Sequence, residues 1–129
     1  MKVEERQRTR APAIEFEVPQ TGTAIVKLRG ELDLSSRPRL TQALAGASEQ
    51  AKVLVDLSEC TFADSSVVRA LVIATAELKE RGGRLELVIP RAANAVHRLA
   101  QLARLSDSVP VHESRGAACA SLHPRVGAA

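Results

Sequence analysis

Short polar side chains crowd one stretch in the middle of the chain, directly before a segment with helical spacing. The stretch reads Cys60-Thr61-Phe62-Ala63-Asp64-Ser65-Ser66. A short side-chain oxygen before a helix accepts a hydrogen bond from an unpaired backbone N–H, so Asp64 or Ser65 is a natural N-cap. A serine hydroxyl at the same place can also accept a phosphoryl group, because the free N–H groups and the positive end of the helix dipole stabilise a phosphate. The residues alone leave both roles open.

Enzyme chemistry finds less support in the same residues. A serine hydrolase would combine Ser66 with a histidine and Asp33, but the Gly-x-Ser-x-Gly turn that exposes such a nucleophile is missing from the sequence. The two cysteines and three histidines are scattered, which does not fit a four-ligand zinc site. The glycine-rich phosphate loops are missing as well. We therefore expect no catalytic residue, no cofactor and no metal, with a small serine hydrolase kept as an alternative.

Composition limits the kinds of partner. The chain has 129 residues, 45% of them apolar and 26% charged, as expected of one globular domain. A net charge of +3 with no Trp, no Tyr and two Phe does not indicate a nucleic-acid surface. The start, MKVEERQRTR, lacks the apolar stretch of a signal peptide, and no run approaches the ~20 apolar residues of a membrane helix. We expect a cytoplasmic protein with reduced cysteines and no membrane insertion.

Strand and helix signals alternate around the polar stretch. Charged residues alternate with Ile14, Phe16 and Val18, which is typical of a half-exposed edge strand. The continuous apolar run 53–55 indicates a strand that is covered on both faces. The remaining strands are expected at 23–29, at 84–89 and, weakly, at 109–112, and the helices from Ser35 or Ser36 onward, at 66–81, at 94–102 and at 115–122.

This order of elements predicts the fold class. Strand–helix–strand units imply a parallel sheet with right-handed crossovers, and the first two strands add an antiparallel edge hairpin. We therefore expect an α/β fold with a four- to five-stranded mixed sheet and about four helices. The domain should span 13–122, between tails at 1–12 and 123–129. Functional groups gather at the carboxyl ends of parallel strands, here the loops 30–34, 56–66 and 90–94.

Three segments of the chain form an ordered set of motifs. Val26–Asp33 is a hydrophobic strand followed by G-E-L-D, and Val53–Ser58 and Phe62–Ser66 contain D-L-S and F-A-D-S-S. These segments resemble the signature of one family, the STAS domains of bacterial anti-sigma factor antagonists. Gly82-Gly83 and the strand before Pro90 also fall where the family has them. The similarity covers about 15–122. The ordered set of segments, with these spacings, carries the resemblance.

The resemblance implies a regulatory binding protein rather than an enzyme. In this family the antagonist binds an anti-sigma factor, usually a GHKL-type serine kinase, and thereby frees a sigma factor in stress-responsive transcription. The kinase phosphorylates a serine of the antagonist, the pair separates, and a phosphatase resets it. The family motif places the phosphoacceptor on Ser66 and the acids of the switch on Asp64 and Asp33. Ser65, Val67 and Arg69 are the further residues expected in the switch loop and partner surface.

The sequence departs from the family pattern directly after Ser66. The family usually reads S-G-L-G, whereas this chain has Val67 and Arg69 in place of the two glycines. Glycines allow a close approach of another backbone, so their replacement predicts slow or absent phosphorylation by a generic family kinase. Arg69 lies one helical turn beyond Ser66, where it would pair with a phosphate or remain a solvated cation. We further expect Ser66, rather than Ser65, to be the exposed serine at the helix start.

The same departure keeps a second binding function open. A STAS domain without the phosphorylation switch could serve as a scaffold in a stress-signalling assembly. It could equally be the small partner subunit of a membrane transport complex. The oligomeric state is left open by the residues.

Overall fold

The computed structural model describes residues 13–123, except for the side chains of Asn94 and Leu102. Residues 1–12 and 124–129 of the expected tails lie outside these residues. His123, the first residue of the expected C-terminal tail, contacts the first residues of β2 and β3. Its Nε2 lies 3.1 Å from Oγ1 of Thr23, and its Nδ1 lies 3.2 Å from Nζ of Lys52.

Within these residues the strands form one mixed sheet in the order β1-β2-β3-β4-β5. The strands are β1 (Ala13–Gln20), β2 (Thr23–Leu32), β3 (Lys52–Ala63), β4 (Arg84–Val88) and β5 (Val111–His112). β1 pairs antiparallel with β2, and the other three pairings are parallel. The α/β class, the mixed sheet and the antiparallel edge hairpin are therefore confirmed.

Four α-helices accompany the sheet in the described part of the chain. They are α1 (Arg37–Ala47), α2 (Ser65–Glu80), α3 (Asn94–Leu102) and α4 (Arg115–Leu122). Short 3-10 turns at Leu34–Ser36 and Leu105–Asp107 precede α1 and β5. The helix count is confirmed, and α3 and α4 have the bounds that the sequence predicts.

The two faces of the sheet are buried in different ways. One face packs in a continuous aliphatic core with residues of α1, α2 and α3, such as Leu44, Leu71 and Val96. The other face holds a small apolar cluster, in which Leu54 and Val88 meet Leu122 of α4. Residues 53–55 are completely buried, as expected of a strand covered on both faces. The central strand thus fixes the position of everything at its carboxyl end.

β2 and β3 are longer than the sequence predicts. β2 runs on to Leu32, and β3 occupies most of the segment expected to be the loop 56–66. Their pairing shifts register between Lys27 and Arg29 and again after Gly30, whose φ of 80° costs a glycine little. Such irregular pairing breaks the alternation of apolar and polar residues by which strands are recognised in a sequence. The two strands therefore carry the functional loops beyond the body of the sheet.

β1 is the edge strand that the alternating pattern predicts, but its apolar side is less buried than the pattern suggests. Phe16 and Val18 both remain substantially exposed. A Cβ on Gly46 of α1 would lie 3.1 Å from the ring of Phe16, so the ring packs closely against the helix at this glycine. On the opposite side of the strand, Glu15 pairs with Arg29 at 2.6 Å.

Candidate functional site

The polar stretch folds into a capped helix start with Asp64 as its N-cap. One oxygen of Asp64, Oδ1, accepts hydrogen bonds from the N–H groups of Ser66 at 3.0 Å and Val67 at 3.4 Å. The hydroxyl of Ser66 donates to the same oxygen at 2.5 Å. These bonds satisfy donors of the first helical turn. Asp64, rather than Ser65, is therefore the N-cap of α2.

The second oxygen of Asp64 reaches a different loop. Oδ2 accepts a hydrogen bond from the N–H of Leu34 at 3.1 Å. The N–H of Asp64 in turn donates to the carbonyl oxygen of Leu32 at 3.3 Å. Asp64 therefore joins the start of α2 to the turn that follows β2, which brings together two of the three loops expected at the functional edge.

Asp33 lies between the two residues that Asp64 holds. Its Oδ1 accepts the N–H of Ser35 at 2.9 Å and the hydroxyl of Ser35 at 2.5 Å. The N–H of Asp33 donates to Oγ of Ser36 at 3.3 Å, which completes a capping box on the 3-10 turn. The helix opening expected at Ser35 or Ser36 is thus capped by Asp33, while Ser36 makes no side-chain cap on α1.

The electrostatics of the cap centre on Asp64. The hydrogen bond from the hydroxyl of Ser66 holds the pKa of the Asp64 carboxyl below its usual value, and backbone N–H donors add to the effect. The carboxylate is therefore ionised at neutral pH, and it lies next in the chain to the exposed Ser65. The hydroxyl of Ser66 and the negatively charged carboxylate of Asp64 therefore lie side by side at the start of α2.

The two serines differ from the expectation in their exposure. Ser65, the first residue of α2, is exposed, whereas Ser66 is half-buried. The expectation that Ser66, rather than Ser65, is the exposed serine is therefore wrong. The reason is local: the hydroxyl of Ser66 turns back onto Asp64 and is shielded there.

The two residues that replace the family glycines have opposite environments. The side chain of Val67 is 1% exposed and packs in the aliphatic core. This corrects the expectation that Val67 contributes a side chain to a partner surface, because the helix start turns it toward the sheet. Arg69 is exposed on α2. Of the pair, only Arg69 presents its side chain to an approaching protein.

Two exposed apolar side chains flank the site, and the sequence analysis did not assign them to it. Leu34 is 63% exposed in the turn bonded to Asp64, and Phe62 is 45% exposed near the end of β3. The signal in the sequence was weak, because an apolar residue in a loop or strand is normally assumed to be buried. Phe62 lies opposite Glu31 in the shifted pairing of β2 with β3, and Leu34 opens the 3-10 turn that follows β2.

The third expected loop, 90–94, follows β4, which ends earlier in the sheet than β3. β4 ends where Val88 pairs with Asp56, and β3 continues for seven further residues to Ala63. At roughly 3.3 Å per residue, this places the end of β3 well beyond the end of β4. The hydrogen bonds of Asp64 join two of the three expected loops.

Histidine and cysteine side chains of the described segment have other surroundings than Ser66. His112 pairs with Glu86 at 2.6 Å, and His123 lies against Thr23 and Lys52. Cys60 is buried, which raises the pKa of its thiol to about 11. Among residues 13–123 no group of three potential metal ligands occurs, and no helix has both the length and the apolar character of a membrane span.

Three solved structures share this α/β architecture. An anti-sigma factor antagonist from Mycobacterium paratuberculosis matches with a TM-score of 0.77 and 22% identity, over 87% of this chain and 94% of that one. The Bacillus cell fate determinant SpoIIAA in its phosphorylated form matches with a TM-score of 0.65 and 20% identity, over 86% and 100%. The murine anion transporter solute carrier 26 family member A9 matches with a TM-score of 0.64 and 16% identity, over 94% and 24%.

A sequence comparison identifies the family. The family model described as Mlab, STAS domain, matches residues 17–111. The chain belongs to the STAS domain family, which confirms the resemblance found in the sequence. A comparison with curated proteins finds no match.

Proposed function

We propose that this STAS domain is an anti-sigma factor antagonist, which binds an anti-sigma factor in the cytoplasm and is controlled by phosphorylation of Ser66. The observation that carries the proposal is the pair of hydrogen bonds through which Asp64 holds both Ser66 and the turn at Leu34. The architecture shared with a protein described as an anti-sigma factor antagonist, and with a phosphorylated form of SpoIIAA, supports it. The partner expected from the family is a GHKL-type serine kinase, with a phosphatase that reverses the modification.

Phosphorylation at this corner would act on both loops. A phosphate on Ser66 adds about −1.5 to −2 charges at neutral pH near the positive end of the α2 dipole, where Asp64 already accepts from the N–H groups of Ser66 and Val67. The same phosphate removes the hydroxyl proton that now binds Asp64 and sets a second negative charge beside the carboxylate. Asp64 then holds the N–H of Leu34 less well, so the partner surface changes in both charge and shape.

The exposed apolar residues provide the contact area for such a partner. The backbone of Leu34 is bonded to Asp64, and Phe62 precedes Asp64 by two residues; both side chains are exposed. Apolar side chains at the centre of an interface contribute most of its affinity, and the charged rim adjusts it. A switch at Ser66 would therefore act directly beside the residues that bind.

The two neighbouring serines allow a matched test of the modification. The purified protein is incubated with ATP and a GHKL-type anti-sigma kinase, and the intact mass is measured. We expect wild type and Ser65→Ala to gain one phosphoryl group slowly, because Arg69 replaces a family glycine, and Ser66→Ala to gain none. Modification that persists in Ser66→Ala and disappears in Ser65→Ala would move the acceptor to the more exposed serine.

Binding is tested by titration calorimetry with the same kinase. We expect Ser66→Asp to weaken binding while its thermal unfolding stays close to wild type, because a carboxylate in the first turn is favourable by about 0.3–1 kcal/mol. Leu34→Ser should weaken binding as well, without any added charge. Equal affinity of wild type and Ser66→Asp would contradict the switch.

A binding subunit without a switch is the second candidate. Arg69 in place of a family glycine, and the architecture shared with part of an anion transporter, favour a domain that contacts its partner without being modified. Such a subunit would serve a stress-signalling scaffold or a membrane transport complex. It predicts that binding tolerates Ser66→Asp but is lost with Leu34→Ser, which separates the two candidates in the same titration.

A further inference from the structure

A groove of about 550 Å³ runs between α1 and α2, apart from the corner at Asp64. Its floor is apolar and made largely of small residues, with Leu44, Ala70 and Ala74 all buried. Ile73 stands on its rim and is 42% exposed. The floor residues recur at helical spacing along α2, so the groove follows the helix axes.

The shape of the groove favours a helical occupant. α1 and α2 both connect neighbouring parallel strands, so they run in the same direction beside each other. Small residues along such a pair of helices allow a third helix to approach to the usual interaxial distance of about 8–10 Å. From Ala70 to Glu80 the groove extends for about 15 Å along α2, close to three helical turns.

The charges at the two ends of the groove have opposite signs. Arg37, the first residue of α1, lines the end at which both helices begin. Glu77 and Glu80 line the other end together with Arg81, which leaves that end with a net negative charge. A helix that complements the groove therefore carries an acidic residue near one end, an apolar stripe, and basic residues near the other end.

We propose that the groove between α1 and α2 binds an amphipathic helix of a partner protein, with the acidic end of that helix at Arg37 and its basic end at Glu77 and Glu80. The apolar stripe of the helix covers Ile73 and the floor below it. In helix-in-groove binding, apolar side chains of the bound helix at helical spacing anchor it in the groove, and the charges at its two ends select the partner. The groove begins at Ala70, one helical turn beyond Ser66, and the proposal concerns the protein with Ser66 unmodified.

The test uses two synthetic helical peptides of about 14 residues, which span the groove. Both carry the same leucine stripe; the matched peptide has glutamates at one end and lysines at the other, and the acidic peptide has glutamates at both ends. Binding to the whole protein is measured by fluorescence anisotropy. We expect saturable binding of the matched peptide, about tenfold tighter than that of the acidic peptide.

Two protein variants locate the binding. Glu77→Lys/Glu80→Lys changes two exposed side chains and should reverse the preference, so that the acidic peptide binds more tightly. Ile73→Ser should weaken the matched peptide about tenfold. Val18→Ser removes a side chain of similar exposure, 45% against 42%, from β1, which does not line the groove, and should leave affinity unchanged.

Three results would overturn the proposal. These are the lack of saturable binding by the matched peptide, equal binding of both peptides to wild type, and equal effects of Val18→Ser and Ile73→Ser. Circular dichroism and thermal unfolding of each variant confirm that the comparison is made between folded proteins. Ser66→Ala, which cannot be phosphorylated at this position and adds no charge, should bind the matched peptide like wild type, which keeps this result distinct from that of the phosphorylation experiment.

Discussion

Two corners of the molecule are built from the same three-residue pattern, an aspartate followed two positions later by a serine. In both, Oδ1 of the aspartate accepts the serine N–H and the serine hydroxyl. The N–H distances are 2.9 Å for Asp56 with Ser58 and 3.0 Å for Asp64 with Ser66. The local geometry of the two corners is therefore nearly identical.

The corners differ in what the second oxygen meets. Oδ2 of Asp56 accepts from Nε of Arg115 at 2.6 Å, and this aspartate side chain is only 8% exposed. It fastens α4 to the sheet. Oδ2 of Asp64 accepts a hydrogen bond from the N–H of Leu34, which is the first residue of the exposed 3-10 turn before α1. The local motif is the same at both corners, and the difference lies in the group that is bonded to Oδ2. We call the contacts of Asp56 the buried clasp and those of Asp64 the exposed clasp.

The largest expected effect is the loss of the buried clasp. Asp56→Ala leaves Arg115 and Ser58 without their acceptor, and hydrogen bonds to charged groups contribute about 1.5–3 kcal/mol each. We expect a loss of about 2–3 kcal/mol in the free energy of unfolding, measured by urea denaturation. Affinity for an anti-sigma kinase should be unchanged when it is titrated at a temperature where the variant is fully folded. A loss below about 0.5 kcal/mol would show that the clasp holds nothing together.

Acid should release both clasps. Burial raises the pKa of Asp56, but the hydrogen bonds from Ser58 and Arg115 outweigh it and leave the pKa below the ordinary 3.8. The pKa of Asp64 is lowered as well, first by the hydroxyl of Ser66. Both carboxylates therefore contribute stability that is present above the ordinary pKa and lost as pH falls through the lower folded value.

The measurement is urea denaturation between about pH 2 and pH 5. We expect the stability of wild type to fall with decreasing pH in this range, and Asp56→Asn to show a shallower fall. A double variant that adds Asp64→Asn should be shallower still. Identical slopes for all three proteins would mean that other carboxylates control acid unfolding.

The exposed clasp should matter less for stability and more for binding. Asp64→Ala removes an N-cap, which costs about 1 kcal/mol. Asp64→Asn keeps a good cap but removes the charge, so it should cost little stability. If the tie to Leu34 shapes the partner surface, Asp64→Ala weakens kinase binding in calorimetry more than Asp56→Ala does. The reverse order would break the distinction between the two corners.

Local sequence patterns predict the elements around the two corners. The order of elements, the bounds of α3 and α4, and a cap at the start of α2 follow from apolar periodicity and from short polar residues before helices. The contacts between distant parts of the chain are not predicted by these patterns. Arg115 lies far along the chain from Asp56, and the register shifts that lengthen β2 and β3 leave no periodic signal. Val67 is buried and Leu34 is exposed although both are apolar, and residue type alone does not predict this difference.

The smallest expected effect concerns Arg69, beside the exposed clasp. The family pattern suggests replacing both Val67 and Arg69 by glycine, but Val67 is 1% exposed in the core. Its removal would destabilise the protein and obscure the result, so Arg69→Ala alone is the cleaner change. Arg69 can obstruct a kinase by its bulk, or hold the phosphate once it is transferred.

We expect obstruction to outweigh assistance. An exposed pairing of Arg69 with a phosphate contributes about 0.2–1 kcal/mol at most, whereas a bulky side chain acts on every approach of the kinase. Arg69→Ala should then be phosphorylated about two- to fivefold faster than wild type, a difference of up to about 1 kcal/mol. Arg98→Ala, which removes an exposed arginine from α3, should match wild type in the same time course. Slower modification of Arg69→Ala would instead identify the guanidinium as a group that assists the transfer.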